Sequence, residues 1–178
     1  MTVAPTLTAV LGIGLLVLAL ALMLGMGAVE PAPAIDLPLD GTGDAETLRA
    51  QAVAIARRVD VAVVFAGLAD ADESEGYDRT NLELPAGQIE LITAVAAVAP
   101  RTVVVLANGG VVTVEGWHDL VDAIVEGFLL GQAGGGALAD LLFGVANPSG
   151  RLAESIPVRL ADTASYLNFP GEQGHVRY

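Results

Sequence analysis

Two short apolar runs separated by a helical pattern constrain the fold of this chain most. Val61–Ala66 is followed at once by glycine, and Thr102–Ala107 by Asn-Gly-Gly. Runs of this kind are typical of strands buried on both faces of a parallel sheet. Between them, Ala86–Ala99 places its apolar residues on one helical face and ends at Pro100. We therefore predict an α/β fold, with a mostly parallel sheet sandwiched between helices.

Further elements extend this pattern on both sides. Ala45–Arg58 is predicted to be an amphipathic helix, with Asp44 as its N-cap. Ala123–Leu130 is predicted to be a third strand, and Gly134–Phe143 a short helix. Functional loops in such sheets follow the C-terminal ends of the strands. The loop of residues 67–85 is the longest and most polar of them, so function is sought there first.

Charge and composition exclude several classes of partner. The 178 residues include 21 acidic and 8 basic side chains, for a formal net charge of -13. A surface this acidic repels phosphate backbones, so we expect no nucleic-acid binding. There is no cysteine, and the two histidines, His118 and His175, are far apart in the sequence. We therefore expect no metal site and no cofactor.

The N-terminal residues 1–29 form a hydrophobic segment. Residues 7–29 carry no charge and are long enough for a transmembrane helix, which needs about 20 apolar residues. The sequence thus predicts a hydrophobic helix that inserts into a membrane, as an anchor or as a signal-like segment of a membrane-associated or exported protein. A misplaced start, with a cytoplasmic protein, is the alternative. Residues 30–43 are rich in proline and glycine and are predicted to be a linker before a domain at residues 44–178.

The loop after the first apolar run concentrates carboxylates. A general acid is one interpretation, because neighbouring carboxylates raise one another's pKa. A solvated acidic loop is the other. Its charged residues include Asp70, Asp72, Glu73, Glu75, Asp78 and Arg79.

Five strings in this chain, in this order, resemble the C-terminal α/β domain of family 3 glycoside hydrolases, the β-glucosidase family. The first follows the Val61–Ala66 run, as the corresponding loop does in that family. The strings are Glu73–Gln88, Arg101–Gly109, Leu129–Gly144, Asn147–Leu152 and Tyr166–Tyr178.

The resemblance implies a retaining hydrolase of β-linked glucosides or related sugars. Such enzymes use two carboxylates about 5 Å apart. In the family, a preceding barrel carries the aspartate nucleophile and this loop carries the acid/base glutamate. Glu75 matches the acid/base position, Glu73 is the fallback, and Asp78 with Arg79 belong to the same substrate loop. An orienting role or a salt bridge between the last two are both open.

The resemblance also implies that more of the enzyme lies elsewhere. A barrel takes about 250 residues, so we expect a separate barrel domain to supply the nucleophile, and doubt that this chain acts alone. The family's domain also continues past the closing Arg-Tyr, so the domain is expected to be incomplete at its C-terminus. One alternative is a non-catalytic, membrane-tethered sugar-binding or structural remnant. Another, weaker alternative is a nucleotide-binding domain that uses the glycines of residues 131–136.

Overall fold

A computed structural model describes residues 16–20 and 44–177 of the chain. Within them a four-stranded sheet has the order β1-β2-β3-β4, with β2, β3 and β4 parallel and β1 antiparallel to β2. The strands are β1 Leu16–Leu20, β2 Val61–Gly67, β3 Thr102–Ala107 and β4 Ala123–Glu126. The helices are α1 Ala45–Ala56, α2 Ala86–Ala96 and α3 Gly134–Leu142. The prediction of an α/β fold with a mostly parallel sheet is confirmed.

The two faces of β2 carry two separate clusters of apolar side chains. Ala62 and Val64 belong to the main core, together with α1 and α2. Val61 and Val63 belong to a smaller cluster on the opposite face, which the apolar side of α3 partly covers. This division follows from the two-residue period of a strand, because successive side chains point to opposite faces. Helices therefore cover both faces of the sheet, as the apolar runs indicated.

The start of α1 has the predicted N-cap. The Asp44 carboxylate accepts a hydrogen bond of 2.9 Å from the backbone N–H of Thr47 and one of 2.6 Å from its hydroxyl. The first bond satisfies one of the backbone donors that a helix start leaves free. Further along, Arg49 forms a salt bridge with Glu90 and ties α1 to α2.

The third parallel strand is shorter than predicted. β4 ends at Glu126 rather than at Leu130. The Glu126 carboxylate accepts a 2.9 Å hydrogen bond from the N–H of Phe128, and Phe128 has a φ of 50°. A positive φ cannot continue a strand, so the chain turns away from the sheet at this point.

The prediction of an N-terminal hydrophobic helix is wrong for the part that the structure describes. Residues 16–20 form strand β1, which pairs with β2 from Leu16↔Phe65 to Leu20↔Val61. The apolar run thus supplies hydrogen-bonding partners to an edge of the parallel sheet that would otherwise lack them. None of the helices within the described ranges has the length and apolar character needed to cross a bilayer. The remainder of residues 7–29 and the predicted linker at residues 30–43 lie outside the described residues.

Candidate functional site

The candidate site lies at the C-terminal edge of the sheet, where the loop after β2 meets the turn after β3. The side-chain amide of Gln88, in α2, fixes the end of β2 there. It accepts a hydrogen bond from the N–H of Gly67 and donates one to the Gly67 carbonyl, both of 2.9 Å. The acidic loop therefore starts from a fixed point.

Glu73 is engaged with the turn that follows β3. Its two carboxylate oxygens accept hydrogen bonds from the backbone N–H groups of Gly109, at 2.5 Å, and Gly110, at 3.0 Å. Hydrogen bonds to an ionised acceptor are stronger than neutral ones. Consecutive backbone N–H groups of this kind form an anion-binding concavity, and the Glu73 carboxylate fills it.

Arg79 contacts the same turn from the other end of the loop. Its Nη1 donates a 2.8 Å hydrogen bond to the backbone carbonyl of Val111. Its second terminal nitrogen, Nη2, is buried and has no hydrogen-bond partner in the part of the chain that the structure describes. The arginine thus holds the loop through a backbone carbonyl, and within the described residues it forms no salt bridge with Asp78.

Glu75 lies between these two anchors and is exposed. An isolated bridge between Ser74 and Tyr77 closes the chain around it, and the Ser74 hydroxyl accepts a 3.1 Å hydrogen bond from the N–H of Gly76. Within residues 16–20 and 44–177 the Glu75 carboxylate has no hydrogen-bond or salt-bridge partner, and neither has the exposed carboxylate of Asp78. Glu73 and Glu75 are therefore in opposite situations: the Glu73 carboxylate is bound by backbone N–H groups, and Glu75 is exposed to solvent.

An open cleft of about 450 Å³ adjoins this loop. Its lining is rich in groups that hydrogen-bond to hydroxyls. They include the side chains of Asp72, Tyr77, Asp78, Arg79, Asn81 and Glu83. Such a lining suits a polar ligand that carries many hydroxyl groups.

Trp117 and Gly134, one of the glycines of residues 131–136, serve packing. Trp117 is 1% exposed and belongs to the main core, so its ring does not face a ligand site. Gly134 lies against Leu130, and a Cβ on that glycine would come within 2.6 Å of the leucine Cβ. Gly134 is thus required for close packing at the start of α3, and the spacing of the glycines in this loop does not fit G-x-G-x-x-G.

Sequence reasoning did not assign a partner to the Gly109-Gly110 pair. The sequence marked these residues only as the turn that closes β3. The available signal was two adjacent glycines after a parallel strand, since their N–H groups can turn together toward one anion. Within the described residues, no group of three or more His, Asp or Glu side chains is arranged to hold a metal ion.

A family model for the glycosyl hydrolase family 3 C-terminal domain matches residues 7–178. Thermostable beta-glucosidase B of Acetivibrio thermocellus is 55% identical over 133 residues, which cover 75% of this chain and 18% of that protein. An exo-alpha-(1->6)-L-arabinopyranosidase of Bifidobacterium longum is 52% identical over 131 residues, or 74% of this chain and 17% of that protein. The chain therefore spans less than a fifth of the length of these curated relatives.

Solved structures show the same similarity. A Bifidobacterium adolescentis GH3 beta-glucosidase matches with a TM-score of 0.70 and 51% identity, over 77% of this chain and 20% of that one. A beta-glucosidase of Kluyveromyces marxianus, solved in complex with glucose, matches with a TM-score of 0.70 and 37% identity, over 77% of this chain and 16% of that one. Sequence and fold thus lead to one family.

Proposed function

Because this chain belongs to the glycosyl hydrolase family 3 C-terminal domain family, we propose that it contributes the acid/base carboxylate of a retaining glycosidase, and that Glu75 is this residue. The family places a glutamate on the loop after β2, and Glu73 and Glu75 are the candidates there. One observation favours Glu75 over Glu73. The Glu73 carboxylate is bound by two backbone N–H groups, whereas Glu75 has no partner in the described residues and faces solvent.

The proposed chemistry needs an accessible carboxyl group. In the first half of a retaining reaction it donates a proton to the departing glycosidic oxygen while a second carboxylate attacks the anomeric carbon. In the second half it accepts a proton from the water that hydrolyses the glycosyl intermediate. A carboxylate held by two N–H donors would have to break those bonds in each cycle. Glu75 would break none.

The nucleophile is proposed to come from a separate barrel domain. The family carries it on a barrel, and this chain spans only 17–18% of its curated relatives. Large apolar side chains beyond β4 face solvent, among them Leu129 at 74% and Leu167 at 90% exposure, and they are proposed to contact the barrel domain.

The proposed substrate is a β-linked glucoside or a related sugar. Most of the relatives are named as beta-glucosidases, and the Bifidobacterium longum relative as an L-arabinopyranosidase. The polar cleft beside the loop suits a hydroxyl-rich ligand of either kind. Asp78 and Arg79 line this cleft and are proposed to belong to the substrate loop.

The test supplies the chain with a family barrel, fused or in trans, and assays aryl β-glucosides and aryl α-L-arabinopyranosides. The isolated chain should show no turnover above background, since general acid–base catalysis alone gives about 10²–10⁴-fold. In the enzyme assembled with the barrel, Glu75→Ala should lower the rate of hydrolysis of substrates with poor leaving groups by about 10²–10⁴-fold. Substrates with activated leaving groups should be affected much less, because only poor leaving groups need a proton. Azide should partly rescue the variant.

Asp70→Ala is the matched control, since it removes another exposed carboxylate of the same loop and should leave the leaving-group dependence unchanged. A barrel-supplied enzyme that is inactive, or a Glu75→Ala variant equally slow on all leaving groups, would overturn the assignment.

A further inference from the structure

We propose that Glu73 and Arg79 together form a two-point staple that positions Glu75, so that Glu73 acts in the reaction without contacting the substrate. The staple is defined by the Glu73 carboxylate on Gly109 and Gly110 and by the Arg79 guanidinium on Val111. This proposal rests on the proposed function, since it concerns the placement of the acid/base residue.

The two anchors lie on either side of Glu75 in the sequence. The glutamate anchor lies two residues before it and the arginine anchor four residues after it. Both anchors bind residues 109–111, so one turn of the chain holds both ends of the 74–78 segment. These contacts join parts of the sequence 32 to 37 residues apart. The turn itself is fixed, because it follows β3 directly and the buried Asn108 side chain donates a 2.8 Å hydrogen bond to the Gly110 carbonyl.

An exposed loop that carries a catalytic group needs contacts that hold the loop in one position. Glu75 itself makes no contact that would order it within the described residues, and the segment around it is exposed to solvent. A misplacement of about 1 Å can lower the rate of a catalysed step by about 10²-fold. The staple transfers the order of β3 to the loop, whereas the Ser74–Tyr77 bridge shapes the loop only internally.

The chemistry of the staple requires a carboxylate at position 73. Two N–H donors are matched by two acceptor oxygens, each at hydrogen-bond distance. A glutamine offers one acceptor and one NH₂ group, and the latter would oppose the second N–H. Glu73→Gln should therefore keep one bond and lose the other, while Glu73→Ala loses both.

The first test uses this chain itself and needs no activity. Amide hydrogen exchange and backbone order parameters are measured by NMR for wild type, Glu73→Gln and Glu73→Ala. We expect the exchange protection of the Gly109 and Gly110 amides to fall in that order, together with the order parameters of residues 74–78, while amides of β2 and β3 stay unchanged. Glu75→Ala is the control, since it removes a carboxylate between the anchors and should change none of these values. Unchanged order in residues 74–78 of Glu73→Ala would overturn the staple.

The second test is a double-mutant cycle in the barrel-supplied enzyme. Glu73→Ala should lower the rate on poor leaving groups by about 10- to 100-fold when Glu75 is present, and by less than about twofold in the Glu75→Ala background. Coupling of this kind shows that one residue acts through the other. A loss that persists without Glu75 would mean that Glu73 merely supports stability, and would refute the staple. If the effect of Glu75→Ala does not depend on the leaving group, the proposed function is wrong. The NMR experiment then still tests whether the Glu73 and Arg79 contacts order residues 74–78.

Discussion

The described part of the chain divides into two regions that use their apolar residues in opposite ways. The sheet region, residues 44–126, contains every buried large apolar side chain of residues 44–177, from Val61 in β2 to Trp117. The tail region, residues 127–177, contains none, yet most of the large apolar side chains that face solvent lie in it. Examples are Val145 at 75% and Leu167 at 90% exposure.

This difference separates the residues that form the core of the domain from apolar residues that stay exposed. Burial of apolar surface contributes roughly 25 cal/mol per Å², so the free energy of folding is concentrated in the sheet region. The tail region contributes through Leu138, Leu142 and Phe143, in and directly after α3, which pack against the smaller apolar cluster of the sheet. The proposed acid/base loop belongs to the sheet region and lies close to the tail region, because Gly109, which binds Glu73, also neighbours Leu129.

The largest expected effect is a loss of folding stability from a substitution in the core of the sheet region. Ile92, in α2, is 0% exposed within the main core. Ile92→Ala should lower the free energy of unfolding by about 2–4 kcal/mol, since it removes buried methylene groups and leaves a cavity. Urea denaturation, followed by circular dichroism, measures the change.

The matched change in the tail region is Leu167→Ala, at a side chain that is 90% exposed. It should shift the free energy of unfolding of the isolated chain by no more than about 0.5 kcal/mol. Comparable losses for the two variants would contradict the division into regions.

The sequence predicted the sheet region better than the tail region, for a physical reason. The apolar runs of β2 and β3 and the helix cap at Asp44 are local patterns, and the structure has them where they were expected. The predicted strand is longer than β4 because Phe128 and Leu129 are apolar and were included in it. The φ of 50° at Phe128, which turns the chain away from the sheet, is not visible in the apolar pattern. A run of apolar residues alone also does not distinguish a strand from a membrane helix. Residues 16–20 were therefore predicted to be helical, whereas they form strand β1.

At the candidate site, too, local sequence patterns predicted less than the structure shows. The string around Glu75 identified the loop, but it could not say which glutamate is bound and which is presented. That distinction depends on Gly109 and Gly110, which follow a different strand and lie 36 and 37 residues from Glu73. Contacts of this range are set by sheet topology, which places the ends of β2 and β3 side by side.

An intermediate effect is expected where the two regions meet. A Cβ on Gly109 would lie 3.1 Å from a Glu73 carboxylate oxygen and 3.2 Å from a methyl group of Leu129. Gly109→Ala should therefore displace the Glu73 carboxylate and lower the free energy of unfolding by about 1–2 kcal/mol, within the range for overpacking. Urea denaturation and the exchange rate of the Gly110 amide measure the two consequences.

The control is Gly136→Ala in α3, where a Cβ would meet no atom within 4 Å. This change should be neutral or stabilise the chain by up to about 1 kcal/mol, because it reduces the conformational freedom of the unfolded state. A Gly109→Ala variant that is as stable as Gly136→Ala, with an unchanged Gly110 amide, would show that the glycine is not needed for the Glu73 contact.

The smallest expected effects are those of protonating one carboxyl group in each region, Asp44 in the sheet region and Asp162 in the tail region. Hydrogen bonds from the Thr47 side chain and backbone hold the pKa of Asp44 below its usual value of 3.8. A hydrogen bond from Arg159 holds the pKa of Asp162 below the same value. A lowered pKa means that each contact stabilises the fold above about pH 3.8 and is lost as the pH falls through the lower, folded-state value.

Loss of the Asp44 cap should fray the start of α1, whose later residues Ala52 and Ala56 belong to the core, whereas loss at Asp162 should stay local. An NMR titration from pH 5 toward 2, a range chosen about the usual value of 3.8, should therefore shift amides through the first turn of α1, but only residues 159–163 in the tail region. Asp44→Asn keeps an acceptor at the cap and should abolish the titration of the Thr47 amide without losing the helix start. Shifts from Asp162 that reach the sheet would show that the tail region is coupled to the sheet and would contradict the division between the regions. If no shifts spread beyond Thr47, loss of the Asp44 cap is as local as loss at Asp162, and the expected contrast fails.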